Sequence, residues 1–213
     1  MALASVRGQV QRLHPPRALF ADFPLGRPLG RPLDPAFQRR VLDAAFCLLA
    51  APSGPVLAEF PERIEDAADE PLSCSVPPRL DHDLPAAVDE ARGLRAAYQR
   101  AVTANDGRTV VGRVVAAEAV PTLVAALVRI AEGTPWEAAG LPAGPIECVL
   151  DVRAYYEEAA LGLSDHVPAA RSAETWFFHH TETGRTVLAA RRRMQEAGAP
   201  QPLWFYLAPR TQA

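Results

Sequence analysis

The side chains with chemistry to offer gather in three places. The densest is Trp176-Phe177-Phe178-His179-His180-Thr181-Glu182. Histidine is the side chain best suited to acid–base work or metal ligation near neutral pH. On a regular helix His179 and His180 point about 100° apart, so the two do not chelate one ion. His179 and Glu182, three apart, could supply two ligands of a carboxylate-rich site if Glu157 and Glu158 converged from another helix. The HHxE string is not HExxH and carries no zincin signal. The simpler reading is preferred: aromatics in a core, histidines at its surface, and no metal. His179, His180 and Glu182 stay as candidate acid, base or ligand residues, and Trp176 as a candidate face for a substrate.

The second place is Leu25-Gly26-Arg27-Pro28-Leu29-Gly30-Arg31-Pro32-Leu33, a four-residue unit repeated between an expected strand and a helix start. Open parallel sheets bind ligands at that position. Gly26 and Gly30 would let backbone approach a ligand. Arg27 and Arg31 could grip a carboxylate or phosphate, helped by the helix start. The alternative is a stiff proline-rich crossover with solvated arginines.

The third is a set of lone thiols. Cys47, Cys74 and Cys148 lie far apart with no CxxC, so neither a zinc ribbon nor a thioredoxin-type motif is present. Their odd number points to free thiols. Cys47 falls beside a helix stripe and reads as a packed small hydrophobe, and Cys148 sits in an apolar stretch. Cys74 lies in a polar, proline-rich segment, so exposure makes it the candidate reactive thiol. A triad of Ser73 or Ser75 with His82 and Asp81 or Asp83 has no GxSxG elbow behind it.

Composition narrows the chemistry further. All 22 basic residues are arginine. Without lysine there is no Schiff-base lysine, no PLP anchor and no P-loop lysine. Abundant Ala, Arg and Pro suggest a GC-rich genome as the cause. No motif names a cofactor. A net charge of −3 argues against a general nucleic-acid binder. No apolar run approaches a membrane span and the N-terminus lacks a signal h-region, so a cytoplasmic protein is expected. Arg185 and Arg191 to Arg193 form a basic face, read as a solvated helix end or a surface for an acidic partner.

The elements that must position these residues form two segments and a linker. Residues 1–60 read as a small parallel βαβ unit: a strand at Arg17–Phe23, a helix from Asp34-Pro35, and a strand at Val56–Phe60. Phe37, Val41, Ala44, Ala45 and Leu48 make its stripe, widened by Phe46 and Leu49. Residues 61–84 are acidic and proline-rich, an extended linker. Residues 85–213 are mostly helical, with helices at Pro85–Thr103, Ala117–Ala131 ended by Gly133, Asp151–Leu161, and Trp176–Glu196 with a break at Thr183-Gly184. Ser172 begins a capping box. One βαβ unit cannot cover its own sheet faces, so further strands are needed. Arg108–Val115 and then Leu203–Leu207 are the candidates, unless another chain supplies them. The fold class is α/β, a small parallel βαβ unit followed by a mostly helical segment.

Pro16-Arg17-Ala18, Phe23-Pro24-Leu25-Gly26, Pro28, Gly30, Asp34-Pro35 and the Arg39-Arg40 helix together resemble the C-terminal end of the component-B family of glycine, sarcosine, betaine and D-proline reductases. The helical remainder is similar to an extension in some bacterial members, carried by Tyr155-Tyr156-Glu157-Glu158-Ala159-Ala160, Trp176-Phe177 and Thr181-Glu182-Thr183-Gly184-Arg185. The resemblance implies that residues 1–60 are part of a Rossmann-like sheet. It also implies redox chemistry on a (U/C)-x-x-C motif upstream of the matched stretch, where none of Cys47, Cys74 or Cys148 falls. The expectation is a subunit of a reductase-like hetero-complex in specialised metabolism. This chain would help bind an anionic small substrate while a partner chain carries the redox thiol. The alternatives are a self-sufficient small-molecule enzyme with a His/Glu site and a non-catalytic scaffold subunit.

Overall fold

A computed structural model describes residues 1–24, 26–31, 34–64, 74–165 and 172–209. The chain divides into two compact units, Met1–Asp69 and Glu70–Ala213.

The first unit holds a parallel sheet in the order β1 (Ala2–Ala4), β2 (Arg17–Phe20), β3 (Val56–Glu59). β2 pairs with β1 through Leu3 and Leu19 and with β3 through Leu19 and Ala58. Three-residue β1 is too short to leave an alternation pattern in the sequence. α2 (Pro35–Cys47) starts where expected, with the Asp34 carboxylate accepting the Phe37 N–H at 2.9 Å and proline in its first turn. Its Phe37, Val41 and Ala45 bury against Leu19 and Phe60. Phe23, Phe37 and Phe60 meet with ring centroids 5.7–5.9 Å apart. At the far end of α2, Arg17 of β2 donates to the carbonyls of Leu48 and Ala51. It thereby supplies the donors that a helix end lacks.

The opposite face of the sheet is covered more thinly. α1 (Arg7–Leu13) sends Val10 into a cleft of about 380 Å³ shared with Ala18 and Leu57. Arg7 lies 4.2 Å from the Phe20 ring and pairs with Glu59 at 2.5 Å. Leu57 stays 41% exposed and Leu13 70%. The widened α2 stripe does not form: Phe46 and Leu49 are exposed, and so is Cys47. Measured from the centre of the face formed by Phe37, Val41 and Ala45, Phe46 lies about 140° away and Cys47 about 120°.

The second unit is helical. α3 (Ala86–Gly93) and α4 (Arg95–Ala104) replace the single expected helix, joined at buried Leu94. α5 (Val120–Ala131) ends at Gly133, whose φ of 107° suits glycine. α6 (Pro145–Leu163) starts earlier than the sequence suggested, with proline again in the first turn. α7 (Ser172–His180), α8 (Glu182–Glu196) and α9 (Gln201–Trp204) follow. α4 lies along α6, close enough that a Cβ on Gly162 would sit 2.0 Å from the Ala97 carbonyl oxygen. Stacked Tyr98 and Tyr155, then Tyr156, Phe177 and Phe178, form an aromatic chain through the core.

Both further strand candidates are corrected. Arg108–Val115 is irregular and Leu203–Leu207 is helical. The valine-rich run around 110–115 looks like a strand, but Gly112 turns at φ 124° and acidic side chains take its N–H groups. Residues 74–84, read from the sequence within the linker, lie against the second unit through Cys74, Val76 and Leu84. Among the described residues, no helix is long and apolar enough to cross a membrane.

Candidate functional site

The loop after β2 makes two consecutive turns: the Arg27 N–H donates to the Pro24 carbonyl and the Gly30 N–H to the Arg27 carbonyl. Gly26 (φ 88°) and Gly30 (φ 85°) both adopt the left-handed region. They differ in purpose. A Cβ on Gly26 would meet open space, whereas one on Gly30 would lie 2.3 Å from Phe37 and 2.7 Å from Ile64. Gly30 therefore lets the loop pack on the core, and Gly26 alone leaves backbone open to a ligand.

Arg27 is half-buried and has a partner within the chain. Arg31 is exposed, stacks 4.9 Å from the Phe37 ring, and makes no ion pair among the described residues. Its carbonyl accepts from Gln38. Arg40, on the same ring at 5.1 Å, is committed to Glu62. An exposed guanidinium held over a ring is an arrangement suited to a carboxylate or phosphate. The first turn of α2 is already capped by Asp34, so the helix start adds little attraction.

Among the described residues of the first unit, no thiol lies beside this loop. Cys47 is at the other end of thirteen-residue α2, about 18 Å along the axis. Cys74 is half-buried rather than exposed, and its thiol donates to the Ala160 carbonyl. Burial pushes that thiol up, away from the thiolate. Cys148 is fully buried, and burial raises it too. Ser73 lies outside the described residues.

The aromatic–histidine segment resolves into core and surface. Trp176, Phe177 and Phe178 are buried, and the Trp176 indole N–H donates to the Cys74 carbonyl at 3.0 Å. Trp176 thus pins residue 74 and offers no open face to a substrate. His179 and His180 are exposed at the end of α7. Glu182 pairs with Arg185 at 2.6 Å. Glu157 pairs with Arg153, and Glu158 accepts the Thr109 hydroxyl and the Val110 N–H, so neither converges on His179. Among the described residues, no three His, Cys, Asp or Glu side chains gather as a ligand set.

The chain breaks at Thr181, two residues before the expected Thr183-Gly184. Thr181 caps α8 by accepting the Gly184 N–H, and donates to the Phe177 carbonyl. The remaining N–H groups of that first turn go to a residue outside the expected site. Glu90 of α3 accepts from Glu182 at 2.8 Å, Thr183 at 3.0 Å and the Tyr156 hydroxyl at 2.9 Å. Asp151 of α6 likewise accepts four backbone N–H groups, from Gly112 to Val115, at 2.8–3.2 Å. Asp89 accepts those of Leu80 and Asp81. All three carboxylates are buried. Acidic residues on the apolar stripe of a helix, as in Val88-Asp89-Glu90-Ala91 and Val149-Leu150-Asp151-Val152, are the signal that could have found them. Each organises a loop or a helix start.

Glu90 and Asp151 respond to pH in opposite senses. Burial raises Glu90 above the usual carboxylate range, although its hydrogen bonds pull the other way. Burial also raises Glu157, against Arg153. For Asp151 burial opposes the charge, but its backbone donors prevail and hold it below that range. A group raised on folding contributes stability below its unfolded value of about 4, and loses it as pH rises through the folded value. A depressed group contributes above its unfolded value and loses it as pH falls through the folded one. Melting temperature measured from pH 3 to 8 should therefore peak in the mildly acidic range. Glu90→Gln should flatten the fall on the alkaline side, and a melting temperature that climbs steadily to pH 8 would contradict this assignment.

Comparison with protein-family models, with curated proteins and with solved structures finds no match to this chain.

Proposed function

We propose that this chain is a subunit of a hetero-complex resembling the glycine, betaine and D-proline reductases, with the Met1–Asp69 unit completing a Rossmann-like sheet of a partner chain. The observation that carries this reading is the thin cover of the three-stranded sheet. Parallel sheets are normally buried on both faces. Here Leu57 on β3 and Leu13 on α1 are substantially exposed, on the side that α2 does not cover. Gly26, Arg27 and Arg31 would help hold an anionic small substrate. A cysteine or selenocysteine of the partner would perform the redox step, in keeping with the lack of a thiol near the loop among the described residues of the Met1–Asp69 unit. The self-sufficient His/Glu site has weaker support, because Glu157, Glu158 and Glu182 are each engaged by other residues.

The test is co-expression with the product of the neighbouring gene, followed by size-exclusion chromatography. The wild-type chain should elute with a partner that carries a CxxC or UxxC motif. Leu57→Glu, a change at an exposed position, should weaken association roughly 30-fold or more, since a charge would enter a desolvated contact. It should leave the melting curve of the isolated chain unchanged. A wild-type chain that stays monomeric and turns over substrate alone would end the proposal.

A further inference from the structure

A well-formed cleft in the helical unit takes no part in the function proposed above. Its volume is about 610 Å³, within the range of small-molecule sites. Two helices end at it. α5 closes with Gly133, where Thr134 N–H returns to the Arg129 carbonyl, and α8 closes with Gly198, where Ala199 N–H returns to the Met194 carbonyl. Both glycines have positive φ and open space around their missing Cβ.

The charge of the cleft follows from this construction. A helix C-terminus behaves as about half a negative charge, and two arrive together. Glu137 and Glu196 add two carboxylates to the lining, against the single guanidinium of Arg193. That guanidinium already shows which sign the cleft favours: its Nε donates to the Ala131 carbonyl at the end of α5, and its Nη1 pairs with Glu196 at 3.2 Å. The floor is apolar, made by buried Ile130 and Met194, with the half-buried Trp136 ring at the side. An indole face attracts a cation as well as an apolar body.

We propose that this cleft binds a small organic cation, a protonated amine or guanidine on an apolar body. The ammonium faces Glu137, Glu196 and the two helix ends, and the body lies on Ile130, Met194 and Trp136. The expectation concerns charge as much as shape, so the probes are a matched pair: phenethylammonium and 3-phenylpropionate, which share the ring and differ in the sign of the head group.

Titration of the isotope-labelled full chain, followed by NMR, reads the site directly. Phenethylammonium should produce saturable shifts at the Trp136 indole N–H and at the Gly133 and Gly198 amides, with a Kd on the order of 1 mM or tighter. 3-Phenylpropionate should leave these signals unmoved. The double variant Glu137→Gln/Glu196→Gln, at two exposed positions, should weaken the amine about tenfold or more. No saturation by ~20 mM, comparable binding of the anion, or a double variant that binds the amine as well as the wild type would overturn the proposal. Should the double variant fail to fold, the comparison of amine with anion on the wild-type chain decides alone.

Discussion

Asp151→Ala is expected to destabilise the helical unit by about 3–4 kcal/mol, because four backbone N–H groups lose one acceptor. The four donors do not count equally. Gly112 and Arg113 are exposed, and water can replace the carboxylate there. Val114 and Val115 are half-buried against the core and cannot be satisfied as easily. For a unit of this size roughly 2–4 °C accompanies each kcal/mol, so thermal melting followed by circular dichroism should show a fall of roughly 10 °C. Asp151→Asn keeps the shape and one acceptor oxygen but turns an amide toward two of the donors, and it should cost about 2 kcal/mol. A fall of less than roughly 3 °C for the alanine variant would mean that the 112–115 loop does not depend on this carboxylate.

Gly184→Ala should be comparably damaging, although it adds a single methyl group. An added Cβ would lie 1.9 Å from the Phe177 carbonyl oxygen and 2.8 Å from the Phe178 Cα. These are backbone atoms and cannot rotate aside, so α8 must move away from the end of α7. That movement strains the Thr181 cap and the two N–H groups held by Glu90, which are buried together. Overpacking of this kind typically costs 1–3 kcal/mol, and the rigid obstacle puts this case at about 3 kcal/mol or above. Denaturant unfolding should show the loss as a lower midpoint with an unchanged slope. A variant as stable as the wild type would show that α7 and α8 separate freely.

The two substitutions explain why the sequence was legible in some places and opaque in others. α2, α5 and the end of α8 were readable because local rules govern them: a capping Asp34 before Pro35, Gly133 and Gly198 at helix ends, and apolar residues at helical spacing. The aromatic core beside surface histidines was also visible from type and spacing. β1 was missed because three residues cannot show a period. The Arg108–Val115 segment was misassigned because β-branched residues suit a strand locally. Among the described residues no neighbouring strand receives it, and Asp151 with Glu158 takes its N–H groups instead.

The site residues divide along the same line. Exposure of Cys74 was inferred from the polar segment around it, but contacts with Ala160 and Trp176, distant in sequence, decided its burial. Gly30 read as a place for a ligand to approach, and the Phe37 ring fills that place. Arg31 is exposed, with the Phe37 ring as a local neighbour.

By itself the sequence determined the two-part character of the chain, its lack of lysine chemistry, the arginine-bearing loop before α2, the start of α2 and the ends of α5 and α8. Only the tertiary structure decided where the buried carboxylates act, how α7 turns into α8, and that α5 and α8 end at one negatively charged cleft. The physical reason is the range of the forces involved. Caps, turns and stripes act within a few residues. The partners of Glu90 and Asp151, like the convergence of two helix dipoles, lie 36 or more residues away along the chain and meet only once the core has packed.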